Sequence, residues 1–336
     1  MKYGTLDCTA GRQALGLICI LICILTSPLL GQDDAGIGRY ESVQGHMGSR
    51  FRIVVYASET TAKLAIPAAF DRIAEIDLRL SNYKPESELS RLTLGEKRTH
   101  SVGDDLWNVL VLSETMHRHS EGAFDVTLGP ITDLWRTARK AKTLPDQNKL
   151  REALARVGMR HIQLDKSQRT VTLLREDMAL DPGGIAKGWA VQEAVSVLRK
   201  HGIKSALVDG GGDMFMVGKP GKRDGWWIEV APLRPEGKST TIVSLADRAV
   251  ATSGDTWQYL DTGGKRYSHI VDPKTGMGVT TPSSVTVIAK DGARADAWAS
   301  AISVLGPERG LKLLEKHADM DALIVYLDEE GKVQKQ

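Results

Sequence analysis

Cysteine is nearly absent from this 336-residue chain, and its three copies, Cys8, Cys19 and Cys23, all lie near the N-terminus. Once that segment is removed no thiol remains, which excludes disulfides, thiolate zinc sites and a cysteine nucleophile. Aromatic residues make up only 5% of the chain, and of the seven tryptophans only Trp226 and Trp227 are adjacent. A secreted polysaccharide-binding face, which needs an exposed aromatic row, is therefore not indicated. Neither sign of charge dominates: 44 Lys and Arg stand against 42 Asp and Glu. Such a balance gives no electrostatic case for nucleic acid or for an anionic membrane surface. The G-x-G-x-x-G of a dinucleotide fold and the Walker pattern of a P-loop are both missing. No histidine pair has zinc-site spacing, and neither an internal repeat nor a low-complexity segment is found.

What is present begins with a leader. Lys2 and Arg12 precede an apolar run from Ala14 to Leu25, which Thr26-Ser27-Pro28 breaks. The run is short for a bilayer span, so residues 1–31 are expected to be a signal peptide cleaved near Gly31, or else an N-terminal anchor. Export to the periplasm, or retention on the extracytoplasmic side of the membrane, follows as the expected location. Removing Lys2, Arg12 and Asp7 leaves 42 basic and 41 acidic residues, a net charge of +1. Residues 32–336 are long enough for one large core or two modest ones, and are taken as a single large domain.

Periodicity then predicts a strand over Met47–Ala57 and a helix over Pro67–Leu80 opened by its proline. A short helical piece over Glu86–Leu92 and a helix over Asp104–Ser120 follow. Gly122–Pro130 reads as a ligand-lining connection, and Arg136–Gln147 as an exposed insertion. From Ile162 onward strand signals dominate: 162–164, 170–174, 178–180, 206–209, 214–217, 226–232, 240–245 and 285–289. Helices are expected at Ile185–His201, Arg294–Leu305 and Glu308–Lys316, with a final strand at Ala322–Leu327. Strands and helices alternate without a βαβ beat, so the fold class is α+β.

Three groups of residues could carry chemistry. Asp181-Pro-Gly-Gly-Ile-Ala-Lys-Gly188 lies between strand-like residues and a helix. Its glycines permit close ligand approach, and the first-turn N–H groups favour an anion such as phosphate. A plain strand-to-helix turn explains the same residues. Asp296 and Ser300 stand four apart in Ala295-Asp-Ala-Trp-Ala-Ser300, one face of a helix, and offer hard oxygen ligands suited to magnesium; a helix-terminal aspartate beside a tolerated serine is the plainer reading. His269, followed by Asp272-Pro273, is a candidate proton acceptor or ligand contact. Gly210-Gly211-Gly212-Asp213 is a fourth place for close approach, or a tight hairpin.

Taken together, these blocks resemble the ApbE family of FAD:protein FMN transferases, from Met47 to about Leu305. The likeness rests on Met47-Gly-Ser49, Leu80 to Ser90, Gly122-Ala-Phe-Asp125, Gly129-Pro130, Asp181–Gly188, Ala251 to Asp255, His269–Gly276 and Ala295–Ser300, in the family's order. The resemblance implies a T-fold-like α+β architecture, mixed sheets with packed helices, in an exported bacterial protein. It implies an enzyme that binds FAD and Mg2+, attaches FMN by a phosphodiester bond to a threonine of an acceptor flavoprotein, and releases AMP. Redox-pump subunits and other exported flavoproteins are the acceptor class. It further implies FAD contacts at Met47, Tyr83, Ala123, Phe124, Asp125, Asp181, Lys187 and His269, with catalytic work at His269 and Asp181. The metal would be held by the Gly184 carbonyl, Asp296 and Ser300. The chain departs from the family pattern at Ser300, commonly threonine, and at Asp209, near which many members carry asparagine. Two rival readings remain: an FAD pyrophosphatase releasing free FMN and AMP, and a non-catalytic flavin-binding protein.

Overall fold

The computed structural model describes residues 36–94, 99–230, 233, 241–254, 258–328 and 330–336. The expected leader, and Asp255 of the 251–255 block, lie outside the described residues. The described chain starts with a hairpin of β1 (Gly38–His46) and β2 (Ser49–Ala57). Met47 and Gly48 turn it, both left-handed with φ of 50° and 68°. Two such residues match the twist of a two-residue hairpin. The strand expected at Met47–Ala57 is thus the second arm only. The first arm is a largely exposed, polar edge without an apolar run to announce it.

Helix α1 (Glu59–Leu80) is capped by Ser58, whose hydroxyl accepts from the Thr61 N–H at 3.2 Å. Pro67 therefore lies inside the helix and does not open it. The buried stripe of Ile66, Phe70, Ile73, Ile76 and Leu80 outweighs the one backbone bond the proline removes. Next come α2 (Glu88–Leu94), β3 (Thr99–Ser101), α3 (Asp104–His119), α4 (Gly129–Ala141) and α5 (Gln147–Leu154). The expected insertion from Arg136 is corrected here. Pro130 sits in the first turn of α4, and Trp135 and Ala138 are buried. The chain continues with β4 (Ile162–Asp165), β5 (Thr170–Leu173), α6 (Ala186–Lys200), β6 (Ala206–Asp209), β7 (Met214–Val217), β8 (Trp226–Glu229) and β9 (Ile242–Leu245). Residues 178–180 form no strand. After these come β10 (Arg248–Gly254), β11 (Tyr259–Thr262), β12 (Lys265–Ser268), β13 (Ser283–Ala289), α7 (Gly292–Leu305), α8 (Pro307–Leu314), β14 (Asp321–Leu327) and β15 (Val333–Lys335).

The α+β class holds. One sheet takes eight strands in the order β1-β2-β6-β7-β10-β13-β14-β15, and every pairing among the described strands is antiparallel. Helices α1, α6 and α7 lie across one face: α1 over β1 and β2, α6 over β6 and β7, and α7 over β10 and β13. Alternation along β2 sends Ile53 and Val55 toward the helices. Val54 points the other way, into a second core with Leu207, Met216, Trp226 and Ile228 under the β8–β9 hairpin. A third cluster, with Ile131, Trp135, Leu150, Leu260 and Val271, joins α4 and α5 to the β11–β12 hairpin. The Trp135 indole N–H donates to the Gly276 carbonyl at 2.8 Å and pins the segment after His269 against α4. Among the described residues no helix is long and apolar enough to cross a membrane.

Candidate active site

Between the helical layer and the α4 cluster lies a cavity of about 660 Å³. Its lining brings together every candidate site residue: Met47, Tyr83, Ala123, Phe124, Asp125, Asp181, Gly184, Lys187, His269, Asp296 and Ser300. These residues come from the β1–β2 turn, the loop after α1, the loop before α4, the mouth of α6, the segment after β12, and α7. Met47 enters with its strained left-handed backbone. Tyr83 stands on the rim, 74% exposed, with the Arg136 guanidinium 4.3 Å from its ring centre.

The geometry begins where two helices cross. A Cβ on Gly188 would lie 2.2 Å from the Gly292 carbonyl oxygen, and one on Gly292 2.4 Å from the Gly188 oxygen. Only glycine lets α6 and α7 approach so closely. That approach delivers the Asp296 carboxylate to the Gly188 N–H, at 3.0 Å. One turn along α7, Ser300 sits beside Gly184, where an added Cβ would lie 2.8 Å from its Oγ. Asp296 and Ser300 share one face of α7, as their i, i+4 spacing predicts, and Gly184, which the resemblance alone offered, lies beside Ser300 in the same cavity. A Gly188→Ala variant is expected to lose about 1–3 kcal/mol of stability, because its methyl meets helix backbone that has no room to yield. A melting curve unchanged from wild type would contradict this account of the crossing.

The electrostatics of that corner are unusual. Asp296 is 6% exposed and accepts from a single described donor, the Gly188 N–H. Burial, then the neighbouring Asp213 carboxylate, pushes its pKa well above the usual carboxylate range, against the pull of Lys187 and the Gly188 N–H. Asp213, itself buried, is ion-paired with Lys187 and is the main reason that ammonium is held above its ordinary pKa. One buried carboxylate, one hydroxyl and one nearby carbonyl form a hard oxygen donor set. No group of three or more His, Cys, Asp or Glu that could hold a metal occurs among the described residues. A small divalent cation that keeps water and substrate oxygens fits such a sparse set, and a zinc-type site does not.

The mouth of α6 differs from the expected cradle of free amides. The Gly183 N–H donates to Asp181 Oδ1 at 3.0 Å, the Ile185 and Ala186 N–H groups donate to the Pro182 carbonyl, and Gly188 donates to Asp296. Those four donors are committed inside the protein, so an anion here must look chiefly to side chains. Asp181 is 3.1 Å from Arg136. Asp125 is braced within its own loop: Oδ1 accepts from the Thr127 N–H at 2.8 Å and from its hydroxyl at 2.6 Å, and Oδ2 lies 3.3 Å from His117.

His269 is half-buried, and its Nδ1 lies 3.1 Å from the Gln258 carbonyl oxygen. A carbonyl only accepts, so Nδ1 carries the proton and Nε2 keeps its lone pair. Burial lowers its pKa to about 4; Arg139 and Lys187 push the same way, while the Gln258 carbonyl and Asp181 oppose them.

The ApbE family model matches residues 47–324. The chain belongs to the ApbE family. A protein of Treponema pallidum named FAD:protein FMN transferase is 31% identical over 329 residues, covering 93% of this chain and 91% of its own length. One of Vibrio cholerae with the same name is 31% identical over 264 residues, 76% of this chain and 78% of its own. Among solved structures, the flavin transferase ApbE of Vibrio cholerae superposes with a TM-score of 0.80 at 27% identity, covering 89% of this chain and 97% of that one. The apo flavinyl transferase ApbE of Pseudomonas stutzeri gives 0.79 at 27% identity, covering 89% and 94%.

Two arginines of the cavity are not among the residues expected from the sequence. Arg136 and Arg139 both line the cavity. Their i, i+3 spacing beside an apolar Trp135 is a helical signal, but the density of charge from 136 to 142 masked it.

Proposed function

We propose that this chain transfers the FMN moiety of FAD to a threonine hydroxyl of an acceptor flavoprotein, with Mg2+ and with release of AMP. The observation that carries this reading is the convergence of a hard-oxygen corner (Gly184, Asp296, Ser300) and a neutral imidazole on one cavity of about 660 Å³. Six of the eight FAD-contact positions, Met47, Tyr83, Ala123, Phe124, Lys187 and His269, are proposed to contact FAD directly. Asp125 shapes its loop and Asp181 orients ligand or water. A bound Mg2+ would supply charge neutralisation at the pyrophosphate and stabilise charge building on the departing phosphate. The acceptor Oγ forms its bond to the FMN phosphorus as the bond from that phosphorus to the bridging oxygen breaks. AMP departs with that oxygen and its electron pair. His269 Nε2 takes the hydroxyl proton.

The chain is proposed to work outside the cytoplasm, with residues 32–336 as the transferase domain behind a signal peptide or anchor, since the Ala14–Leu25 run fits such a leader. Exported flavoproteins, redox-pump subunits among them, are the proposed acceptors. The test is mass spectrometry of a candidate exported flavoprotein incubated with the enzyme, FAD and Mg2+. A gain matching FMN on one threonine is expected; free FMN and AMP with an unlabelled acceptor would make the protein a pyrophosphatase instead.

A further inference from the structure

The charged groups lining the cavity pair off almost completely. Lys84 is 2.8 Å from Asp77, Arg136 is 3.1 Å from Asp181, and Lys187 is paired with Asp213. Asp125 is held by Thr127 and His117. Two groups of opposite sign are left over. One is Asp296, whose missing counter-charge is positive. The other is Arg139, which has no anionic partner among the described residues and faces the same cavity.

Arg139 projects from the third turn of α4, a helix fixed by the burial of Ile131, Trp135 and Ala138. Half-buried, the guanidinium stands close enough to Tyr83 and His269 to interact with both electrostatically. Burial, and then Arg136 alongside, make its charge costly and lower its pKa. Leaving a half-buried guanidinium next to a second arginine without an anion is unfavourable unless a ligand supplies one. The amides at the mouth of α6 are largely committed elsewhere, so they do not take that role.

Resting on the transferase reading, we infer that Arg139 is a positioning residue for the pyrophosphate of FAD, clamping phosphoryl oxygens on the side of the cavity opposite in charge to Asp296. A planar guanidinium with several donors suits two phosphate oxygens at once. A diphosphate held by Arg139 would lie in the same cavity as His269 and Asp296.

Quenching of flavin fluorescence on titration of FAD into wild type, Arg139→Ala and Arg139→Lys, each with Mg2+, tests this without any transfer step. Arg139→Ala is expected to weaken FAD binding about 10-fold or more, the usual cost of losing a charge-assisted hydrogen bond. Arg139→Lys should recover part of the loss, and inorganic pyrophosphate should compete with FAD for wild type but poorly for Arg139→Ala. Without FAD, Arg139→Ala should melt at or above the wild-type temperature, since it removes a costly charge and no described partner. FAD affinity of Arg139→Ala within twofold of wild type overturns the inference. So does a defect confined to the KM for the acceptor protein, which would assign the guanidinium to an acceptor carboxylate. A wild-type protein that binds no FAD brings down the transferase reading itself, a result distinct from either.

Discussion

Asp296→Ala is expected to cut FMN transfer at least about 100-fold and to abolish its dependence on Mg2+, the scale of loss when one preorganised electrostatic stabiliser is removed. The reasoning starts from the free energy of the carboxylate. Asp296 is buried, has one described hydrogen-bond donor, and feels Asp213 as a neighbour of like charge. Burying a carboxylate this way is expensive unless a counter-charge arrives. Lys187 supplies it only in part, because that ammonium is ion-paired with Asp213. A divalent cation between Asp296, the Ser300 hydroxyl and the Gly184 carbonyl meets the need with hard ligands. A second readout separates a metal role from a folding defect. Thermal melts of wild type should rise with added Mg2+, by up to about 2.7 kcal/mol of stabilisation at a hundredfold excess over Kd. The variant should melt at one temperature with or without the ion. FMN transfer undiminished in Asp296→Ala would sink the metal assignment.

What was legible in the chain follows from the range over which each signal acts. Helices α3, α6 and α7 were readable because their apolar stripes recur within a few residues and end at glycine. The i, i+4 relation of Asp296 and Ser300 is equally local. Strand β1 was hidden because an exposed edge needs no apolar face. Strand β10, though central to the sheet, is not among the expected strands: it ends in Ala-Thr-Ser-Gly, and its identity depends on pairing with β7 and β13. The Pro67 error shows a local rule overridden by tertiary burial. Most instructive is Gly188. In sequence it belonged to a ligand loop, yet its job is to let α7 in. The hydrogen bond that this permits joins residues 108 apart, which no local pattern encodes. Arg139 was lost for the related reason that a charged helix looks solvent-facing until its buried face finds a partner.

His269→Ala should lower kcat by about 100- to 10,000-fold, the range for removing a positioned general base. FAD affinity should fall as well, since His269 is also a proposed FAD contact, but far less than kcat, which separates a proton acceptor from a residue that only binds. The tautomer argues for this role. With Nδ1–H donating to the Gln258 carbonyl, Nε2 is the only free basic position, and its orientation is set by a backbone atom. Burial matters as much as geometry, because it lowers the imidazole to about 4. The protonated ring cannot accept the hydroxyl proton, and protonation begins only as pH falls toward that value. The acid limb of kcat/KM, which reports the free enzyme, should therefore lie near 4 instead of the 6.5 of a solvated histidine. At pH 6 the wild-type rate should still be on its plateau. Arg139 is one of the charges holding the imidazole down, so Arg139→Ala should shift the acid limb upward along with its loss of FAD affinity. A wild-type limb near 6.5 that vanishes in His269→Ala would keep the base but place it in water. Full activity in His269→Ala would leave the hydroxyl proton to solvent or to Asp181, which is ion-paired with Arg136.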